Sequence, residues 1–521
     1  MSPSFQLLDE PWIPVETTSG EFLEVGLLDA FVRAPDLVRI AHPSPLVTLA
    51  LYRLLFAIFH RAVPISDVND WDDEWDEGSA HDRVPPYLER WRHRFDLFDI
   101  EAPFWQVPDL SPELGTMSWA KLAAELNDNN NKVLFDHTST KTDRPLAPPA
   151  EIARLLVACQ MLSVGAGNSP VGYNVNAVLA TSLLVVPEGE NLRDTLLVNA
   201  RPGSNPNDLP IWEQPVPNAA SIAKANFSRP PLTFPYVGLA NRLTWLTRAI
   251  KILPPDETGL VSSIVFGAGL RPEVPEGDRD PWVAYRVSSE GKWVPQRLDT
   301  NRAVWRDLGA ISVRTDPEKH EAAAVLRSLG SIHDNDRPFP ASWTLLIGGQ
   351  AADKAKIEGW GQERWRLPDV ALRDERVEQA LVKGIDEAEK TAKDLGRLLW
   401  RLARDLLTID EDRKPDENAV RGVVASFPAM SMFWSSLEKA FARFLTDLAT
   451  PDADVQHVVD KAIANWHTAI GDAVAIAERA THRSLGRDAR ALRAWAKTGP
   501  RISGLSASSR RLAGRQEGIR A

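Results

Sequence analysis

Residues 377–406 read VEQALVKGIDEAEKTAKDLGRLLWRLARDL. Apolar side chains recur every three or four positions, at Val377, Leu381, Ile385, Ala388, Ala392, Leu395, Leu399, Leu402 and Leu406. Glu378, Lys383, Glu387, Lys390 and Arg397 fall between them. A period near 3.6 draws one apolar stripe along one long helix, and that stripe has to be covered by other helices. The covering elements follow directly. A second helix is predicted to start near Pro428, after Ser426, with the stripe Met430, Trp434, Leu437, Phe441, Phe444 and Leu448. A third begins after Pro451, capped by Asp452 or Asp454, and uses Val455, Val459, Ala462, Trp466, Ile470 and Val474. A shorter fourth covers Gly486 to Lys497, with Leu492 and Trp495 inward. Four amphipathic helices on short connections pack best as an antiparallel bundle. Residues 371–505 are therefore predicted as a four-helix bundle, and 506–521 as a flexible basic tail.

Upstream the texture differs. Residues 1–370 are rich in proline, tryptophan and short mixed segments, as expected of an α/β body, so the chain as a whole is predicted to be α+β. Leu196–Val198 and Ile264–Phe266 read as strands. Ser44 is placed to cap a helix through Leu49, Leu54, Leu55 and Ile58, and another helix runs from Pro149 to about Leu162. The acidic stretch Asp67 to Asp82 reads as a solvated loop.

Composition narrows the function. The apolar fraction of 44% and charged fraction of 25% are those of a globular protein. Tyr52 and Arg53 interrupt the apolar run Leu46 to Phe59, and no basic segment leads an apolar one at the N-terminus, so the expectation is a cytoplasmic protein without a membrane span. Cys159 is the only cysteine, which excludes an internal disulfide and any multi-cysteine zinc site. The net charge is −11, yet from Arg483 onward ten basic residues face only Asp488 and Glu517, a local net of +8. Such asymmetry fits either a basic interaction surface or a solvated tail.

Enzyme motifs are missing. Gly165-Ala166-Gly167-Asn168-Ser169-Pro170 starts like a dinucleotide loop, but Pro170 stands where the third glycine belongs, and the segment follows a helix instead of a strand. There is no phosphate-loop motif and no nucleophile elbow. His333-Asp334-Asn335-Asp336 is the best metal-like cluster, although four adjacent polar residues before Arg337-Pro338 make a turn more readily than a site. No cofactor or metal is expected, and neither nuclease nor ATPase activity. What remains are polar loops. Gly165 and Gly167 either cap the preceding helix or let the backbone approach another molecule closely. Gly348-Gly349, after the strand-like Trp343–Ile347, is either a plain hairpin turn or the start of a functional one.

In order along the chain, Leu7-Leu8-Asp9-Glu10-Pro11-Trp12-Ile13-Pro14-Val15, Phe95-Asp96-Leu97-Phe98 with Pro103-Phe104-Trp105-Gln106, and Leu134-Phe135-Asp136-His137 form a series. Gly189-Glu190-Asn191-Leu192-Arg193-Asp194 through Asn199, and Leu345-Leu346-Ile347-Gly348-Gly349, continue it. The series resembles the CasA family, the large subunit of the type I-E CRISPR Cascade complex, over essentially the whole chain. The resemblance implies a non-catalytic subunit that works with a guide RNA and the other Cascade subunits. Such a subunit recognises a short protospacer-adjacent motif on double-stranded DNA, starts duplex opening and helps recruit a helicase-nuclease. Carried over, the motif-reading loop is Gly165, Ala166, Gly167 and Asn168, and the loop at the guide's 5′ end is Phe135, Asp136 and His137. The duplex-opening wedge falls on Gln350 or Lys354. The family's lysine finger falls near Ser262, where no lysine stands; Arg271 and Lys251 are the substitutes to consider. Two other classes stay open: a helical adaptor with no nucleic-acid contact of its own, and a metal-dependent nuclease using His333, Asp334 and Asp336.

Overall fold

The computed structural model describes residues 3–78, 80–126, 144–203, 205–275, 277–312, 318–331, 340–408, 414–450 and 454–518. The chain divides into two compact units. The first holds nearly everything up to Trp305, with Glu318–Ile332 and Thr344–Arg364. The second is built on the chain from Trp365 onward, joined by the stretch that begins at Arg306 and the one that ends at Trp343.

The first unit is a mixed body of small sheets around two apolar helices. β1 (Ile13–Thr17), β2 (Phe22–Val25) and β3 (Leu37–Ile40) form an antiparallel sheet in the order β2-β1-β3. Helix α1 (Pro45–Ala62) starts as the sequence predicts, with the Ser44 hydroxyl accepting from the Val47 amide and Pro45 in the first turn. It is long and apolar enough to cross a membrane by composition. Every residue from Pro45 to Phe59 is nevertheless buried inside the unit, as befits a core helix. Arg53 tolerates this because Asp280, equally buried, takes both arms of its guanidinium at 3.1 and 2.8 Å. Helix α2 (Pro149–Leu162) packs on α1 and leads into a two-stranded hairpin, β4 (Gly167–Ser169) and β5 (Gly172–Asn174). Strand β6 (Leu184–Glu188) joins a later hairpin, while β7 (Arg248–Ile252) and β8 (Ser263–Ala268) pair antiparallel. That later hairpin is β9 (Ser342–Asp353) with β10 (Lys356–Pro368), in a sheet ordered β10-β9-β6.

Two expectations fail in this unit. Leu196–Val198 is not a strand; it ends a helix, Leu192–Val198, because Asn191 caps the Asp194 amide at 2.9 Å and starts a turn that apolar β-branched content had masked. The acidic stretch is not a loop either. Asp67 caps the helix Val68–Glu77, and Trp71 turns inward to donate to the Leu197 carbonyl at 2.8 Å. Ile264–Phe266 does lie in a strand, β8.

From Glu375 onward the described helices of the second unit are α3 (Glu375–Leu407), α4 (Glu417–Ser426), α5 (Ala429–Leu448), α6 (Val455–Ser484) and α7 (Ala489–Gly518). The predicted stripe of α3 is buried from Val377 to Leu402. Leu437, Phe441, Phe444 and Leu448 are buried on α5, as are Val459, Ala462, Trp466, Ile470 and Val474 on α6. Asp454 caps α6 by accepting from the His457 amide at 3.1 Å. The centre is aromatic. Trp466 stacks on Phe444 at 5.4 Å and meets Phe441 edge-on at 5.7 Å, while its indole donates to the Gly384 carbonyl at 2.7 Å. Three features depart from expectation. α4 is an extra short helix. α7 is as long as α6 and runs helically to Gly518, across the stretch expected as a flexible tail. Leu492 is 56% exposed, and Trp495 instead stacks on His482 at 4.7 Å.

Candidate nucleic-acid interface

Helix α2 ends at Ser163, whose amide still donates to the Cys159 carbonyl. Gly165 and Gly167 are therefore not the cap; they belong to the hairpin beyond it. The pairs in β4–β5 are Gly167 with Asn174, Asn168 with Tyr173 and Ser169 with Gly172. Side chains close the hairpin on itself. Ser169 donates to the Gly172 carbonyl at 2.7 Å, Asn174 to the Gly167 carbonyl at 3.0 Å, and the Gly165 amide donates to Asn176 Oδ1 at 2.6 Å. Gly172 is needed for packing: a Cβ there would stand 2.6 Å from that of Asn226, whose amide holds the Val171 and Gly269 carbonyls. Gly167 differs. Its φ is +76°, and a Cβ would meet nothing within 4 Å, so its outer face is open space. Asn168 and Tyr173 are both exposed beside it, Tyr173 by 53%. Tyr173 escaped the sequence reading; only the pairing of β4 with β5 puts it across from Asn168.

The second predicted loop sits elsewhere than the sequence suggests. Gly348 and Gly349 are inside β9, not at a turn. A Cβ on Gly349 would lie 2.4 Å from the Ser182 carbonyl oxygen, and one on Gly348 would lie 2.9 Å from that of Gly361. The glycines serve close packing between strands. The turn is Lys354-Ala355, with Lys354 exposed at φ +54°, a left-handed conformation uncommon outside glycine. Gln350 is 1% exposed in β9 and donates to the Leu162 carbonyl at the end of α2. The two wedge candidates are thus physically distinct, one at a tip and one at a root.

The stems of the glycine hairpin pack against the end of the second hairpin that lies next to its Lys354-Ala355 turn. Val164, Ala177 and Ala180 around the glycine hairpin pack with Ile357 of β10, flanked by Ala352 and Trp360. Lys121, in the 3₁₀ turn Trp119–Leu122, shares a cavity with Ala166 and Ile357, and its ammonium stands 5.9 Å from the centre of the Phe266 ring. That turn is tied to Ser262, the position singled out in the sequence, since the Trp119 amide donates to the Ser262 carbonyl at 3.3 Å. Next door, Arg144 donates to Ser263 at 2.7 Å. The two substitutes considered from sequence lie elsewhere. The Lys251 ammonium is held by the Pro108 carbonyl at 2.6 Å, and Arg271 belongs to a separate pair of short strands with Thr233–Pro235. No sequence signal pointed to Lys121, which lies far from Ser262 along the chain.

Phe135, Asp136 and His137 lie outside the described residues, as do His333, Asp334 and Asp336. Among the described residues no group of three or more His, Cys, Asp or Glu side chains is placed to hold a metal. Cys159 is buried, and burial pushes its thiol up from the ordinary value, the opposite of what a nucleophile needs.

The sequence profile described as CRISPR-associated protein Cse1 matches residues 6–476. A CRISPR-associated protein CasA/Cse1 of Thermus thermophilus is 34% identical over 505 residues, 95% of each chain. The crystal structure of Thermus thermophilus CasA superposes with a TM-score of 0.83 at 31% identity, covering 98% of this chain and all of that one. A chain of a CRISPR RNA-guided surveillance complex shares the fold, with a TM-score of 0.73 at 21% identity over 96% of this chain and 99% of that one.

Proposed function

Because the chain belongs to the CRISPR-associated protein Cse1 (CasA) family, we propose that it is the large subunit of an RNA-guided surveillance complex and reads a short motif on duplex DNA. The observation that carries this reading is the packing of two hairpins distant in sequence, the stems of one against the turn end of the other. One presents an open glycine face with Asn168 and Tyr173, and the other presents Lys354 at its tip. A bare backbone beside a small amide and an aromatic ring suits the narrow minor groove. The degenerate pattern of donors and acceptors there lets one reader accept several related motifs. The second hairpin is the wedge, and Lys354 is the residue at its point; parting one base step costs a few kcal/mol. Lys121 supplies the cation that Ser262 does not. Phe135, Asp136 and His137 hold the guide's 5′ end. The subunit itself breaks no bond: it starts strand separation so that guide pairing reads the sequence, and helps recruit the helicase-nuclease that cuts.

Gly167→Asp tests the reading. Backbone strain at φ +76° is present with and without DNA and so drops out of binding. A carboxylate about 5 Å from a phosphate, at an effective dielectric constant of about 20 to 80, opposes binding by about 1–3 kcal/mol. Duplex targets should therefore bind the assembled complex more weakly by about fivefold to a hundredfold or more. Gly167→Asn isolates bulk from charge. Unchanged duplex binding by Gly167→Asp, with normal assembly, would remove the motif-reading role.

A further inference from the structure

Arg248 is fully buried and has no carboxylate partner among the described residues. Burial pulls its pKa down to about 10, so the guanidinium still carries its charge at neutral pH. A buried, uncompensated charge is costly, and most buried arginines are paired. The two terminal nitrogens of Arg248 donate to main-chain oxygens, while Nε has no partner among the described residues. Nη2 donates to Val164 at 2.9 Å and to Val175 at 2.8 Å, with Ser163 at 3.4 Å, and Nη1 donates to Thr247 at 3.0 Å. Val164 and Val175 are the two stems from which residues 165–174, the glycine hairpin, project. The guanidinium joins them from beneath, and the stems meet again where the Ala177 amide donates to the Ser163 carbonyl at 2.9 Å. Arg248 is itself fixed. Its amide donates to Gln160 Oε1 at 2.8 Å, and Gln160 Nε2 returns a bond to its carbonyl at 2.9 Å, which locks β7 to α2.

We propose that Arg248 is the positioning residue of the motif-reading hairpin: the two N–H groups of its Nη2 set the spacing of the two stems and thereby the pose of Gly167, Asn168 and Tyr173 toward DNA. The inference rests on the reading of that hairpin as the motif reader. Nη2 meets the two stem carbonyls while Nη1 anchors the same planar group to Thr247, an arrangement that a lysine ammonium holds less rigidly. The charge, paired with no carboxylate among the described residues, also adds a positive contribution beneath the hairpin, in the direction that favours phosphates.

The test compares wild-type, Arg248→Lys, Arg248→Met and Gly167→Asp subunits in the complex assembled with guide RNA. Binding is measured to duplexes with a panel of flanking motifs, and to single-stranded target, which needs neither motif reading nor opening. Arg248→Met should flatten the preference among motifs and weaken the best duplex by about tenfold or more. Single-stranded binding should stay unchanged, and Arg248→Lys should recover part of the loss. If Arg248→Met does not assemble, Arg248→Lys alone should show faster amide exchange confined to residues 165–175, with a partly flattened motif preference. Equal weakening of duplex and single-stranded targets, or an unaltered motif preference in every folded Arg248 variant, overturns the proposal. If Gly167→Asp changes duplex binding while the Arg248 variants do not, only the positioning role falls. If Gly167→Asp is also silent, the motif-reading role falls with it.

Discussion

Replacing Gly384 with alanine sets two local effects of opposite sign against each other. In a helix interior, alanine is better than glycine by about 1 kcal/mol, so propensity alone predicts a more stable protein. A Cβ at 384, however, would stand 2.9 and 3.0 Å from ring carbons of Phe444 and 3.3 Å from Cδ1 of Trp466. Those rings have nowhere to go: Phe444 is stacked on Trp466, Phe441 lies against both, and the Trp466 indole is tied to the Gly384 carbonyl. Overpacking of this kind costs about 1–3 kcal/mol, so the clash should win and Gly384→Ala should be destabilising. Gly396, further along the same helix, is the internal control. A Cβ there meets nothing within 4 Å, so Gly396→Ala should gain the propensity term and be stabilised by about 1 kcal/mol. Urea unfolding followed by tryptophan fluorescence and circular dichroism should order the proteins Gly396→Ala, wild type, Gly384→Ala. Finding Gly384→Ala as stable as Gly396→Ala would mean that the aromatic centre yields freely, and the packing argument would be refuted.

The hairpin residues should separate stability from binding. Lys354→Gly should relieve a left-handed backbone and leave the fold as stable or slightly more so, yet weaken duplex binding and lower its salt dependence by about one phosphate contact. Gln350→Ala should act first on the fold, losing about 1–3 kcal/mol by orphaning the buried Leu162 carbonyl, as a thermal melt would register. Arg53→Met should cost about 3–5 kcal/mol at neutral pH by leaving Asp280 buried without its ion pair. Burial by itself raises the Asp280 carboxyl, but the Arg53 charge and hydrogen bonds hold it below its ordinary value. The stability it contributes is therefore complete above the unfolded value of about 4 and is lost as pH falls through the folded one. Arg53→Met should abolish that acid-side loss in a pH series of unfolding curves.

The long apolar stripes were readable because period and burial coincide: Leu381, Leu395, Leu399 and Leu402 recur on one face and all are buried. The end of the chain was not, and its own packing explains why. Gly499, Pro500, Ser503, Gly504, Ser506, Ser508 and Ser509 look like a loop in one dimension. In α7 the small residues let the helix approach α6 closely: Ser506 donates to the Gly471 carbonyl at 2.7 Å, and a Cβ on Gly471 would meet the Ser506 carbonyl oxygen at 2.9 Å. The site shows the same division. The open glycine at 167 was legible as a residue type, since glycine is the cheapest choice where φ is positive. Gly348-Gly349 gave an equally strong local turn signal that was misleading, because the neighbour of Gly349 is Ser182, far away in sequence. Gln350 and Lys121 were opaque for the same reason. What each does is set by a partner, Leu162 or Phe266, that no local pattern can point to.

The bond from Gln350 to the last carbonyl of α2 makes that helix end a common origin of length for both hairpins. A helix terminus leaves its final carbonyls without intrahelical partners, and here one of them receives the root of the other hairpin. The span between the tip at Lys354 and the open face at Gly167 and Asn168 is thereby measured from a single fixed point, as on a pair of dividers. Each residue added to both strands of a hairpin advances its tip by about 3.3 Å. Lengthening the β9–β10 hairpin by about two residues on each strand would open the dividers by up to about 6–7 Å while leaving the chemistry of both points untouched. In a duplex that is about two base-pair steps, so hairpin length alone would shift where a helix begins to part relative to where it is read.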